Sequence, residues 1–174
     1  MNIKENIISL YLLRILNQVI PLLSMPYLVR VLGADSFGSL VFVTAIMGYL
    51  LLVADYGFNL TATRDISKSV GDISSISKIY GVVLSAKVLI LCIQLLVLCL
   101  ILSLFSLENS LLYICCFFFM LTQTLFPTFF FQGVGAMRWI TILSVSSKLI
   151  SVIVIIFTVD SPNDLLLIPL INAV

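Results

Sequence analysis

Five apolar runs joined by short polar segments leave this chain one class of fold. A bilayer span needs about 20 predominantly apolar residues, and such runs lie at residues 7–31, 40–63, 79–104, 111–131 and 139–159. A sixth starts at residue 165 and reaches residue 174, a helical rise of about 15 Å, too little to cross. Backbone polar groups inside lipid must pair within their own segment, which such runs achieve as helices. The expectation is an all-α, polytopic transmembrane helix bundle of five to six spans, forming a single transmembrane domain over residues 1–174.

Composition agrees. The chain is 61% hydrophobic and 10% charged, against roughly half and one quarter in soluble domains. Its net charge of +1 gives no bias toward nucleic acid. There is no histidine, and Cys92, Cys99, Cys115 and Cys116 sit within apolar runs without the spacing of a metal site. They read as buried thiols, and no metal or cofactor is called for. Only Lys4 precedes the first run, which is too long for a signal h-region and lacks a small-residue cleavage site. That run should be retained as the first span.

Basic residues of short loops face the cytoplasm. An inside N-terminus places Lys4, Arg64, Lys68, Lys78 and Arg138 there, and Arg30, Asp35, Glu108, Asp160 and Asp164 outside. Tyr80 and Trp139 fit aromatic anchors at the cytoplasmic interface. The longest join, residues 64–78, reads as a polar, serine-rich loop.

Residues 21–38 read PLLSMPYLVRVLGADSFG. A proline in a helix frees the carbonyl four residues back, so Pro21 exposes that of Asn17 and Pro26 that of Leu22. The stretch reads as the broken end of the first span, bordering something wet. Pro127, after Thr122, Gln123 and Thr124, similarly frees the carbonyl of Gln123 and predicts a second broken helix. Interrupted spans point to transport sites near the midplane.

Few charges lie inside the spans, where each costs at least about 2.5 to 3.5 kcal/mol at the centre. Arg14 shares a helical face with Asn17, Gln18 and Pro21. It either snorkels to the headgroups or lines a wet face. Asp55 and Asn59 share a face of the second span, with Gly57 letting another helix approach. Asp55 either pairs with Lys87 or handles substrate or ion. Lys87 and Gln94 face one side of the third span, and Thr141, Ser144, Lys148 and Ser151 form a polar stripe on the fifth. Lys148 is too near mid-span to snorkel. If Arg14, Asp55, Lys87 and Lys148 line one cavity, three cations against one anion favour an anionic ligand.

Three ordered stretches, residues 21–38, ADYGFNLTATRDIS at residues 54–67 and FPTFFFQGVGAM at residues 126–137, closely resemble the O-antigen and polysaccharide flippases. These belong to the multidrug, oligosaccharidyl-lipid and polysaccharide exporter superfamily. The resemblance implies a bacterial inner-membrane protein of two helical lobes, of which this chain is most of the first. It implies alternating access that moves an undecaprenyl-pyrophosphate-linked oligosaccharide from the cytoplasmic to the periplasmic leaflet. A polysaccharide polymerase and a chain-length regulator are implied partners, and either H+ or Na+ would be the coupling ion.

Pro21, Pro26, Tyr27, Arg30, Gly33 and Gly38 match the first motif, Asp55, Gly57, Asn59, Arg64 and Asp65 the second, and Pro127, Gln132 and Gly133 the third. The chain departs from the pattern in lacking a tryptophan near Phe129 and an acidic residue near Gly135. On this view Arg14, Lys87 and Lys148 neutralise the lipid pyrophosphate, and Asn17, Gln18, Asn59, Gln94 and Gln123 hydrogen-bond sugars. A drug or ion antiporter using Asp55 as its coupling carboxylate is one alternative. A membrane-embedded enzyme of polysaccharide assembly is another, although the short joins offer no loop for positioned acid and base groups.

Overall fold

The computed structural model describes residues 3–105 and 109–173, with side chains left out at residues 3–14, 16–18, 20, 21, 23 and 138. The side chains of Arg14, Asn17, Gln18, Pro21 and Arg138, and all of Glu108, lie outside the described residues. No strand occurs among those described.

The chain enters as one helical stretch, Ile3–Asp55, interrupted where Gly33 takes φ 77°, ψ 167°. The two helices so formed are α1 (residues 3–32) and α2 (residues 34–55). Contrary to expectation, neither Pro21 nor Pro26 ends α1. Each removes one donor from the ladder, but the remaining hydrogen bonds carry the helix on to a glycine that can leave it. Gly33 lies in a region that essentially only glycine occupies, and its neighbourhood leaves room for a side chain. Gly33→Ala is therefore expected to cost about 1 to 2 kcal/mol through backbone strain alone, measured as loss of helix on thermal unfolding in micelles. Gly38 lies inside α2 with open space beside it, and Arg30 is exposed just before the break.

A second interruption follows at Tyr56 (φ 36°) and Gly57 (φ 79°), dividing the expected second span into α2 and α3 (Phe58–Lys68). Gly57 has nothing within 4 Å of a built Cβ. Its place is explained by backbone conformation, not by the close helix approach expected of it. Residues 64–78 are mostly helical rather than a loop, since α3 runs to Lys68 and α4 (Ile73–Leu104) starts at once. The turn closes on Gly71 (φ 109°) and on Asp72, whose carboxylate accepts from the amides of Ser74 and Ser75. Hydrogen bonding, first from the Ser75 hydroxyl and then its amide, holds the Asp72 carboxyl below its ordinary range.

The rest comprises α5 (Ser110–Leu125), α6 (Thr128–Gly133), α7 (Met137–Thr158), a 3-10 turn (Pro162–Leu166) and α8 (Leu167–Asn172). Pro127 does divide the fourth run, as expected. Among the described residues, four helical stretches are long and apolar enough to cross a membrane: Ser24–Lys68, Ile73–Leu104, Ser110–Gly133 and Trp139–Thr158. Large apolar side chains such as Leu52, Leu60, Leu96 and Phe157 are more than two-thirds exposed, as on a lipid-facing surface. This is a multi-pass membrane protein.

Side-chain pairings fix the directions. Gln94 reaches Leu50 and Lys87 reaches Asp55, so α2 and α4 are antiparallel. The Tyr27 hydroxyl donates to the carbonyls of Ile156 and Val159, so α1 and α7 finish at the same end. The main core joins Leu32, Val43 and Met47 to Leu91, Cys116 and Ile155. A second cluster at the other end holds Ala62, Ile66, Val83 and Phe129. Cys115 and Cys116 are buried, but Cys92 and Cys99 are exposed. The expectation of four buried thiols fails for those two because α4 buries the opposite stripe, Val83, Lys87, Leu91, Gln94 and Leu98. Trp139 is exposed, whereas Tyr80 packs its ring on Phe129 and Phe130.

Candidate functional site

Most of the polar residues singled out within the bundle fall into two groups. The first converges on Lys87, which is 2% exposed. Its ammonium lies 3.1 Å from Asp55 Oδ1. It donates to Asn59 Oδ1 and to the Thr124 carbonyl, each at 3.3 Å, and stands 5.5 Å from the centre of the Phe129 ring. Asp55 ends α2 and Asn59 sits in the first turn of α3, so the break at Tyr56–Gly57 lies between them. They do not share one continuous helix face as the spacing suggests, yet the break delivers both to the same cation. The Thr124 carbonyl is available because Pro127 diverts the chain: the Thr128 amide donates to Phe126 instead, at 2.8 Å. The carbonyl put to use is thus one residue beyond the Gln123 carbonyl that the proline was expected to expose.

Gln94, two turns further along α4, donates through Nε2 to the Leu50 carbonyl at 2.8 Å. Its Oε1 is buried without a hydrogen-bond partner.

The second group lines a cavity of about 370 Å³ between α5, α7 and the chain end near Asn172. Gln123, Ser144, Ser147, Lys148 and Ser151 contribute to its wall. Lys148 is half-buried and lies midway along α7, about 16 Å from either helix end. Among the described residues no carboxylate or hydrogen-bond acceptor pairs with its ammonium, and it is the one charged side chain of the lining. Ser151 also donates to the Ile171 carbonyl, fixing α8 against α7.

Of the residues singled out by sequence, Gln123 and Lys148 meet at this cavity, with Ser144 and Ser151 from the stripe. Asp55, Asn59 and Lys87 meet elsewhere, and Gln94 joins neither group. The four ions do not line one cavity: Lys87 and Asp55 neutralise each other, and the Arg14 side chain lies outside the described residues. Ser147 and Asn172 were not legible as lining residues from the spacing used, although Asn172 is the lone polar residue of the last apolar run. That isolation was the available signal.

The chain matches the family model described as polysaccharide biosynthesis protein over residues 3–174. It belongs to that family. Two relatives carry the name "Putative O-antigen transporter". One, from Escherichia coli (strain K12), is 30% identical over 167 residues, covering 95% of this chain and 40% of its own length. The other, from Shigella dysenteriae, is 34% identical over 164 residues, covering 93% and 41%. The chain thus spans about two-fifths of the length of these relatives. No solved structure gives a significant match.

In this polysaccharide biosynthesis protein the third motif packs against the second. Gly133 of α6 lies so close to α3 that a Cβ there would meet Ile66 Cγ2 at 2.6 Å, and the Thr63 hydroxyl donates to the Phe129 carbonyl. Arg64 is exposed on α3, and Gln132 is half-buried on α6.

Proposed function

We propose that this chain is part of a non-enzymatic flippase. It carries undecaprenyl-pyrophosphate-linked O-antigen or related repeat units from the cytoplasmic to the periplasmic leaflet of the bacterial inner membrane by alternating access. The supporting observation is the Lys148 ammonium, which has no partner among the described residues and lines, with Gln123, a cavity at mid-span. A cation at mid-span is costly unless it meets an anion or water, and a lipid-linked pyrophosphate supplies the anion. The names of the relatives favour a glycan as the cargo. The N-terminus then lies in the cytoplasm, where Arg64, Lys68 and Lys78 gather. A polysaccharide polymerase and a chain-length regulator are the partners such a path would serve, with H+ or Na+ as the coupling ion. Lys87 has a different part in this reading: it joins broken helices and does not touch cargo.

The test expresses the gene encoding this chain in a bacterium lacking its own flippase, with the cognate glycan supplied, and scores surface polysaccharide on gels. Restoration that falls roughly ten- to hundredfold in Lys148→Gln at unchanged protein level is the expected result, the loss of one charge-assisted contact. Full restoration by Lys148→Gln removes that residue from the path. No restoration by the unaltered gene overturns the flippase reading.

A further inference from the structure

The two long walls of the cavity carry the same spacing. Phe119, Thr122 and Gln123 of α5 and Phe126, the residue that caps it, line the cavity at steps of three, one and three. From α7 come Ser144, Ser147, Lys148 and Ser151, at the same steps, together with Leu143. Each set is a single helical face, and the two differ in chemistry. The α7 wall is small hydroxyls around one ammonium, with one apolar side chain, Leu143. The α5 wall places an aromatic ring at each end of a hydroxyl and an amide.

Phe126 is set apart by its backbone and by what lies behind it. It caps α5 in an extended conformation, φ −62° and ψ 120°, just before Pro127. Its ring stacks on Phe131 at 6.3 Å and 25°, and Phe131 meets Phe130 edge-on at 5.6 Å. Phe130 in turn meets Tyr80 edge-on at 6.0 Å. A ring backed in this way has its plane fixed before any ligand arrives, which lowers the ordering cost of binding. One wall of the cavity therefore offers a preset aromatic surface, with an amide, hydroxyls and a cation within the same lining.

That combination suits a sugar ring. The carbon-bound hydrogens on one face of a pyranose complement the negative face of an aromatic ring, while its rim of hydroxyls needs donors and acceptors such as Gln123, Thr122 and the serines. A bare inorganic anion would gain nothing from the ring, and a polyprenyl chain nothing from the amide and ammonium.

We propose that this cavity is a sugar-phosphate subsite. Phe126 stacks on the apolar face of one pyranose, Gln123 hydrogen-bonds its hydroxyls, and Lys148 meets the adjoining phosphate oxygens. The proposal rests on the reading of Lys148 given above and adds which part of the cargo sits here. The volume, near the lower end of the about 300 to 1,000 Å³ of ligand pockets, admits a sugar or two and not an entire repeat unit.

The test uses the purified chain in lipid nanodiscs free of glycoside detergent, titrated calorimetrically with glucose 1-phosphate and, separately, with inorganic phosphate. Glucose 1-phosphate is expected to bind more tightly. Phe126→Leu should weaken it about three- to tenfold and leave inorganic phosphate unchanged. Phe126→Tyr, which keeps the ring, should retain the preference, and circular dichroism checks that each variant is folded. Lys148→Gln should weaken both ligands. Equal affinity for the two ligands, or equal loss of both in folded Phe126→Leu, overturns the sugar subsite and leaves the cation reading standing. Absence of binding by both, or indifference of both to Lys148→Gln, overturns the cation reading and the subsite with it.

Discussion

Lys87→Met will destabilise the bundle by about 3 kcal/mol, the cost of removing one partner from a buried ion pair. The ammonium serves three acceptors at once, Asp55, Asn59 and the Thr124 carbonyl. Its loss leaves a carboxylate and a carbonyl without their donor in the interior. The Asp55 side chain is 34% exposed, so water or headgroups recover part of its solvation, which places the loss at the lower end of the range for such pairs. The measurement is unfolding of the purified chain in mixed micelles by denaturing detergent, followed by circular dichroism. Lys87→Met/Asp55→Leu should recover much of the stability, because an apolar pair leaves no charge behind. A loss under about 1 kcal/mol in Lys87→Met, the size of an exposed pair, would show that the node is not a buried one.

Gly133→Val should cost about 3 kcal/mol and Gly133→Ala about 2. A Cβ at this position falls 2.6 Å from Ile66 Cγ2, 2.7 Å from Ile66 Cβ and 3.2 Å from the Thr63 carbonyl oxygen. Ile66 is fully buried, so it has nowhere to retreat, and the steric cost exceeds the roughly 1 kcal/mol that alanine gains over glycine in a helix. Ile66→Ala removes Cγ2 and keeps Cβ, so combining it with Gly133→Ala should restore only part of the loss. The same unfolding assay reads both variants. Full tolerance of Gly133→Val would mean that α3 and α6 are not in fixed contact.

Apolar length made the spans legible, because the bilayer imposes one requirement on every helix. The seven-residue step from Lys87 to Gln94 correctly placed both on the buried stripe of α4. The pairing of Lys87 with Asp55 was legible as a choice, since few other ions were at hand. Breaks were harder to read. Prolines at 21 and 26 are the conspicuous punctuation, but a long helix tolerates a missing donor, whereas only a residue free of Cβ strain adopts the backbone angles of Gly33. The same applies at Tyr56–Gly57, where spacing along an assumed continuous helix gave the right neighbours for the wrong geometry. The cavity was half legible. Gln123 and Lys148 were marked by polarity, but Phe119 and Phe126 were not, since an aromatic residue in an apolar run carries no mark of the surface it will face.

The Tyr27 hydroxyl bears on biosynthesis. It closes onto the carbonyls of Ile156 and Val159, 129 and 132 residues later in the chain. At about 5 to 20 residues per second, some 7 to 26 seconds of translation separate the two halves of this contact. Its first helix therefore enters the bilayer well before its last anchoring point has been made, and during that interval it must be held by the insertion machinery or by its neighbours. The join between α1 and α7 is a late event, followed among the described residues by the docking of α8 through the Ile171 carbonyl.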